Sequence, residues 1–429
     1  MTDPADDLPP GRRRRTWPQR LALGLNLTLA LACVAAALAI FIGQKNLEDV
    51  QRVDAKPTGD LTKPAPDLVV ESLIHGAPEN SIGRTTTVAT GTTAADAPSI
   101  PAGTVKAENF LMTGSDSRDC IDPKSPYAGA FLNGATGGSR PDTIMVLRTE
   151  PDTGKAAILS FPRDLWVPIA GTTRRGKINS VFDKKDPTTL IATIQNFAGI
   201  TIDHYINIDF CVFKDLVDAV GGVTVPFSTP VRDKNTGLDV EQKGCFSFTG
   251  DHALAYVRSR HIQYQDDQGR WHDEGSADIG RIRRQQDFVR RVMQKVRSKG
   301  LLDLRFVKKL TDSFQKRVEV DLDLTADDVL RLADAMRSFD PATTRSFIIE
   351  GSFGFKGNAA VIDPHIDTPS MQAILRIFSG EAAISDGPNE QDNPVTTAAT
   401  GDTVAVGDNA ETAYGAGQAV VPDKTVTCP

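Results

Sequence analysis

The apolar positions of this chain fall into distinct regimes. From Leu21 to Gly43 they run almost unbroken (LALGLNLTLALACVAAALAIFIG), without one charged side chain. About 20 such residues suffice to cross a bilayer core as a helix. Residues 1–20 are polar and basic, and residues 44–104 are rich in Thr, Ala, Pro and Gly, the composition of a stalk. Between 105 and 378 short apolar runs alternate with helical patterns. From 379 to 429 the chain returns to Ala, Thr, Gly, Asp and Pro, a biased tail predicted to lack structure.

Within 105–378 the runs predict strands at Asn109–Thr113, Thr143–Thr149, Ala156–Phe161, Tyr205–Ile208, Leu254–Val257 and Ser346–Glu350. Helices are marked by their ends. Asp186 caps one, with Pro187 at its first position and Gly199 closing it. A second covers 212–220 and stops at Gly221-Gly222, and a long third runs from Arg281 to Ser298, ended by Gly300. Thr325 with Asp328 resembles a capping box for a helix that stops before Pro341. Strands alternating with helices predict an α/β domain, with helices on both faces of a sheet.

Charge orients the apolar span. Arg12 to Arg15 and Arg20 precede it, while Lys45 and Arg52 beyond it are diluted by Glu48 and Asp49. The positive-inside rule leaves the N-terminus in the cytoplasm and the rest outside. The competing reading is a cleaved signal peptide, whose apolar core of ~7–15 residues is shorter than this span. The net charge of -7 over 429 residues argues against general nucleic-acid affinity. Of the five cysteines, Cys33 lies in the span; Cys120, Cys211, Cys245 and Cys428 lie where disulfides persist, at spacings that match no zinc motif. One or two disulfides are expected, Cys211 with Cys245 being the favoured pair.

Three clusters carry candidate chemistry. If the first three strands form an antiparallel meander through the turn Pro151-Asp152-Thr153-Gly154, one sheet edge holds Asp116, Asp142 and Arg163. Two carboxylates with open positions suit Mg²⁺, with Mn²⁺ as an alternative, and Arg163 suits a phosphate. Taken alone, Asp116 reads first as a turn-stabilising residue, and the convergence of all three reverses that preference. Next, Arg258 and Arg260 share one face of an extended segment, as a positive clamp or as an edge strand blunted by charge. Finally, Asp278 and Gly280 precede Arg281, which shares a helix face with Gln285. The other basic residues of that helix, Arg283, Arg284, Arg290, Arg291 and Lys295, are expected on a solvated face around Ile282, Val289, Val292 and Val296. Lys177 by itself gives no signal. No phosphate loop, GxGxxG or nucleophile–histidine arrangement stands out.

In order along the chain, Asn109-Phe110-Leu111-Met112-Thr113-Gly114-Ser115-Asp116-Ser117-Arg118, Arg140-Pro141-Asp142-Thr143, Phe161-Pro162-Arg163-Asp164 and Lys177-Ile178-Asn179 are followed by Asp203-His204-Tyr205 and Val220-Gly221-Gly222-Val223. Ala255-Tyr256-Val257-Arg258-Ser259-Arg260 and Gly280-Arg281-Ile282-Arg283-Arg284-Gln285-Gln286 complete the series. This ordered set resembles the LytR-CpsA-Psr family, in its actinobacterial form, over about 105–296 and more weakly to 378. The resemblance implies a three-layer α/β/α sandwich with a mixed sheet and a lipid pocket. It also implies a phosphotransferase that moves a glycopolymer from a polyprenyl pyrophosphate carrier to peptidoglycan, as a phosphodiester at the muramic acid C6 hydroxyl. Arabinogalactan, teichoic acid and capsule are all open as the polymer. By the same resemblance Asp116 and Asp142 hold Mg²⁺. Arg163, Lys177, Arg258, Arg260, Arg281 and Gln285 surround the pyrophosphate, and Asp278 supports the arginines.

Pro141 departs from the family, which usually has Ser there, and the long polar stretch 261–277 is a candidate loop over the acceptor. Asp278 and Asp164 are the candidate bases. Leu190, Ile191, Ile194 and Phe197 could line the prenyl pocket or be ordinary core. A protein that only binds polyprenyl phosphates, or a pyrophosphatase of such lipids, is the alternative function. The expected location is the cell membrane, single-pass, with the catalytic domain outside the cytoplasm.

Overall fold

A seven-stranded mixed sheet organises the chain. Its strands are β1 (Gln51–Val53), β2 (Glu108–Ser115), β3 (Thr143–Glu150), β4 (Lys155–Ser160), β5 (His204–Asp209), β6 (Val318–Asp321) and β7 (Arg345–Ile348). The spatial order is β1-β6-β5-β2-β3-β4-β7. The computed structural model describes residues 51–57, 106–115, 141, 143–183, 185–299, 318–325, 328, 343–386 and 395–397, with positions 120, 124, 125, 127 and 428. The apolar span 21–43 lies outside them. Among the described residues no helix is long and apolar enough to cross a membrane.

The meander predicted from sequence is present. β2, β3 and β4 pair antiparallel, with Leu111 opposite Val146 and Val146 opposite Leu159. The turn at 151–154 closes through Thr153 N–H to the Glu150 carbonyl at 3.1 Å. β5 joins β2 in parallel, β6 runs antiparallel to β5, and β7 lies parallel to β4. The inner strands are buried on both faces, so their apolar residues run on instead of alternating.

Helices cover the sheet. α1 (Thr188–Ala198) packs Leu190, Ile191, Ile194 and Phe197 into a core with Leu111, Val146, Leu159 and Tyr205, and ends at Gly199 in the left-handed region. α2 (Phe210–Ala219) starts on Asp209, whose carboxylate accepts the Val212 N–H at 2.8 Å. α3 (Gly250–Arg258) and α4 (Ala277–Lys299) complete a second core with Phe227, Phe248, Tyr256 and Phe288. α5 (Pro369–Ser379), capped by Thr368, closes the first core through Met371, Ile374 and Phe378.

Four expectations change. Leu254–Val257 lies in α3, not in a strand. Thr249 caps the N-terminal end from extended backbone, and its carbonyl accepts the Ala253 N–H at 2.7 Å. Cys211 pairs with Cys120 and Cys245 with Cys428, so Cys211–Cys245 is not the bridge. The sheet takes in residues assigned to the stalk: β1 pairs with β6, and Arg52 donates to the Asp321, Leu322 and Leu324 carbonyls. Residues assigned to the tail also join the fold: Ile384 is buried, Val395–Thr397 pairs with Gly351–Lys356, and Cys428 is bridged. Thr325 and Asp328 do form the reciprocal capping bonds, at 2.8 and 3.2 Å to the two backbone N–H groups; the helix after them falls outside the described residues.

The second core contains a titratable group. His252 is buried among Tyr127, Phe246 and Phe248, and its Nε2 accepts the Asp239 N–H at 3.4 Å. Burial pushes its imidazole down to about 4. The unfolded chain takes up this proton below about pH 6.5, while the folded chain does not. Stability is therefore expected to fall by roughly 3 kcal/mol between about pH 6.5 and 4 on account of this residue alone. His204 works the other way: burial lowers it, but Asp321 more than offsets that and raises it. The check is thus a difference, the pH dependence of chemical denaturation in wild type against His252→Gln. Equal slopes in both would refute it.

Candidate functional site

One edge of the sheet collects several strand ends. Because β2 and β5 are parallel and β3 opposes both β2 and β4, the C-terminal ends of β2, β4 and β5 meet the N-terminal end of β3. Such edges are where open α/β sheets form ligand crevices. Asp116 directly follows β2 and Asp142 directly precedes β3; both lie outside the described residues. Gly114 pairs with Thr143, and Ser115 pairs with Asp209, a buried carboxylate.

Two carboxylates organise the cations here. Asp164, just beyond β4, receives Arg163 Nε at 3.3 Å and Lys177 Nζ at 2.6 Å. Lys177 arrives from the strand Arg175–Lys177, which pairs with Trp166–Pro168. The resemblance had promoted this lysine, and the structure seats it beside Arg163 through a shared partner. Asp278, in the first turn of α4, forms ion pairs with Arg281 at 2.8 Å and Arg260 at 3.2 Å. Arg281 and Asp278 are almost fully buried. Each candidate base is thus held by two cations, in the geometry of a charge-organising carboxylate.

Arg258 and Arg260 do not sit side by side on an extended face. Arg258 ends α3 and stacks over the Phe210 ring at 4.5 Å, whereas Arg260 turns to Asp278. Gln285 donates to the Val257 carbonyl at 3.1 Å, which ties α4 to the residue before Arg258. Gln286 donates to Ser160 Oγ at 2.9 Å and the Phe347 carbonyl at 2.7 Å, fixing α4 to the end of β4 three residues before Arg163.

Beside this cluster lies an apolar pocket of about 110 Å³ that opens to solvent. Met112, Met145, Ile208, Phe213, Leu254 and Phe288 form much of its wall, while Gly114, Thr143, Arg258 and Gln285 supply polar or backbone surface. It lies between the sheet and α2, α3 and α4. Leu190, Ile191, Ile194 and Phe197 belong instead to the core under α1. Sequence reasoning missed this lining because its residues come from six separate elements. Phe210 carried one readable signal, as the residue after the capping Asp209.

The described lining at the sheet edge includes Thr113, Thr143 and the carboxylate of Asp209 but no thiol or imidazole. That donor chemistry fits a hard cation such as Mg²⁺. Among the described residues no group of three His, Cys, Asp or Glu is poised to hold a metal.

The LytR_cpsA_psr family matches residues 81–376. The chain belongs to this family. It is 35% identical over 194 residues to the probable cell wall biosynthesis protein LcpB of Corynebacterium glutamicum, covering 45% of this chain and 43% of LcpB. It is 36% identical over 187 residues to the Polyisoprenyl-teichoic acid--peptidoglycan teichoic acid transferase TagU of Halalkalibacterium halodurans, covering 42% of this chain and 57% of TagU. With TagV of Bacillus subtilis, named for the same transfer, the identity is 31% over 216 residues, 47% of this chain and 51% of TagV. The matched regions span about half the length of these relatives. A LytR-Csp2A-Psr enzyme from Actinomyces oris superposes with a TM-score of 0.49 at 22% identity, over 63% of this chain and 89% of that one. The fold stands on its own topology.

Proposed function

We propose that this chain is a membrane-anchored phosphotransferase that moves a glycopolymer from a polyprenyl pyrophosphate carrier to peptidoglycan. On this reading the acceptor is the muramic acid C6 hydroxyl, the span 21–43 is the anchor, the sheet is the middle of an α/β/α sandwich, and the domain works outside the cytoplasm. One observation carries it: an open apolar pocket lies beside arginines held by the buried carboxylate of Asp278. A prenyl tail needs the first and a pyrophosphate the second. The names of the relatives TagU and TagV support the same transfer.

Asp116 and Asp142 would hold Mg²⁺, which when bound supplies charge neutralisation to the pyrophosphate oxygens. The chain's own residues do the rest. Arg258, beside the pocket, meets the phosphate nearer the lipid, and Gln285 keeps the end of α3 in place. Arg260, Arg281, Arg163 and Lys177 balance charge on the remaining oxygens, where preorganised donors act without reorganisation. The acceptor hydroxyl bonds to the glycan-linked phosphorus, and its proton passes to solvent water. The bond to the bridging oxygen breaks, and polyprenyl phosphate leaves with that electron pair.

The test uses the full chain in lipid nanodiscs with Mg²⁺, a short glycan on polyprenyl pyrophosphate and a peptidoglycan oligomer. Mass spectrometry should find the glycan joined to the oligomer through one phosphate. Release of polyprenyl phosphate without that conjugate would make the chain a pyrophosphatase, and binding without product would make it a carrier-binding protein.

A further inference from the structure

Behind the half-buried Arg258 and Arg260 lies a buried ion pair, one member of which, Arg284, was expected on a solvated face. Arg284 and Glu274 are both almost fully buried. Arg284 Nη1 contacts both Glu274 oxygens at 2.7 Å, and its Nη2 donates to the Ser259 carbonyl at 2.6 Å. Ser259 is the residue between Arg258 and Arg260. Ser276 Oγ donates to Glu274 at 2.5 Å, and the Glu274 N–H donates to the Ile262 carbonyl at 2.8 Å. Gly280 makes the arrangement sterically possible: a Cβ there would stand 2.0 Å from Ser276 Oγ and 2.5 Å from Glu274 Oε1. With a side chain at 280, Ser276 Oγ and the Glu274 carboxylate would have to move from these positions.

The segment joining Arg258 to Arg260 is gripped along its backbone. Gln285 takes the Val257 carbonyl and Arg284 the Ser259 carbonyl, while the buried Asp233 accepts the Arg260 and His261 N–H groups at 3.2 and 3.0 Å. Arg281, Arg284 and Gln285 lie on one face of α4, being three and four residues apart. That face therefore meets the end of α3 through polar bonds. A buried ion pair is a weak source of stability, since an apolar pair of similar volume usually serves as well or better. The chain nonetheless places one directly under the peptide that aims two arginines in different directions.

We infer that the Glu274–Arg284 pair is the positioning element of the arginine cluster. It acts through the Ser259 carbonyl to hold Arg258 beside the pocket and Arg260 on Asp278. The inference rests on the pyrophosphate reading for its purpose, but not for its geometry. A misplacement of about 1 Å at such a site costs up to about 100-fold.

The experiment is the double variant Glu274→Met/Arg284→Met in the full chain, which removes both charges while keeping apolar volume. Three measurements are made on it: the melting temperature, the Kd for farnesyl pyrophosphate with Mg²⁺, and amide exchange at residues 259–261. The expected result is a protein melting at or near the wild-type temperature, with binding weakened about 10- to 100-fold and faster exchange at 259–261. Wild-type affinity and wild-type exchange in the folded double variant would overturn the inference. If the wild-type chain does not bind farnesyl pyrophosphate, the transferase reading fails, and the exchange comparison still decides the positioning role. If the double variant does not fold, Glu274→Gln, which keeps shape and one acceptor oxygen, is judged by the same binding and exchange criteria.

Discussion

Arg258→Ala is expected to slow transfer from a polyprenyl pyrophosphate donor by roughly 10²–10³-fold, the cost of removing one preorganised donor from developing charge. The fold should survive. The arginine is half-buried at the end of α3, and its stacking on Phe210 is worth about 0.5–2 kcal/mol. Arg258→Lys should recover part of the rate, because it restores charge but not the planar fork that meets two phosphate oxygens together. The measurement is conjugate formation by mass spectrometry beside a thermal melt of the same preparations. A folded Arg258→Ala protein with wild-type turnover would remove this arginine from the site, and with it the claim that the pocket positions the donor.

Much of the fold was legible because its inner strands announce themselves. β3 and β4 are compact apolar runs bounded by turn residues, buried on both faces without alternation, while β2 and β5 keep an apolar centre between turn residues. β1 and β6 were not. Gln51–Val53 is short and polar, and Val318–Asp321 buries two carboxylates that take partners from a distant strand. Asp321 accepts the Tyr205 N–H at 2.8 Å, and Glu319 accepts from Asn207 at 2.9 Å. Leu254–Val257 was misread because a short apolar run fits a buried helix as well as a strand. At the site, Asp278 with Arg281 was readable at a spacing of three. Arg284 was not, since its partner lies ten residues back, beyond Gly275 and Ala277, both at positive φ. Charge on a helix reads as solvated until the fold brings something over it.

Asp278→Ala should behave unlike Arg258→Ala, and the contrast separates holding the site from using it. Asp278 is buried and forms ion pairs with both Arg281, itself buried, and Arg260. Without the carboxylate, the Arg281 guanidinium remains in a low-dielectric site stripped of the counter-charge 2.8 Å away. Breaking one side of a buried pair in this way costs about 3–5 kcal/mol, enough to lower Tm by several degrees or more in a domain of this size. Added salt should recover little of it, because buried charges are poorly screened. Asp278→Asn keeps an acceptor oxygen and should lose only about 1–3 kcal/mol. Donor binding should weaken in both, since Arg260 and Arg281 lose the group that aims them. Denaturation curves at low and high salt, with farnesyl pyrophosphate affinity measured well below Tm, check all of this. A stable Asp278→Ala protein would mean that the two arginines are held by their other partners, and that this carboxylate does not organise the cluster.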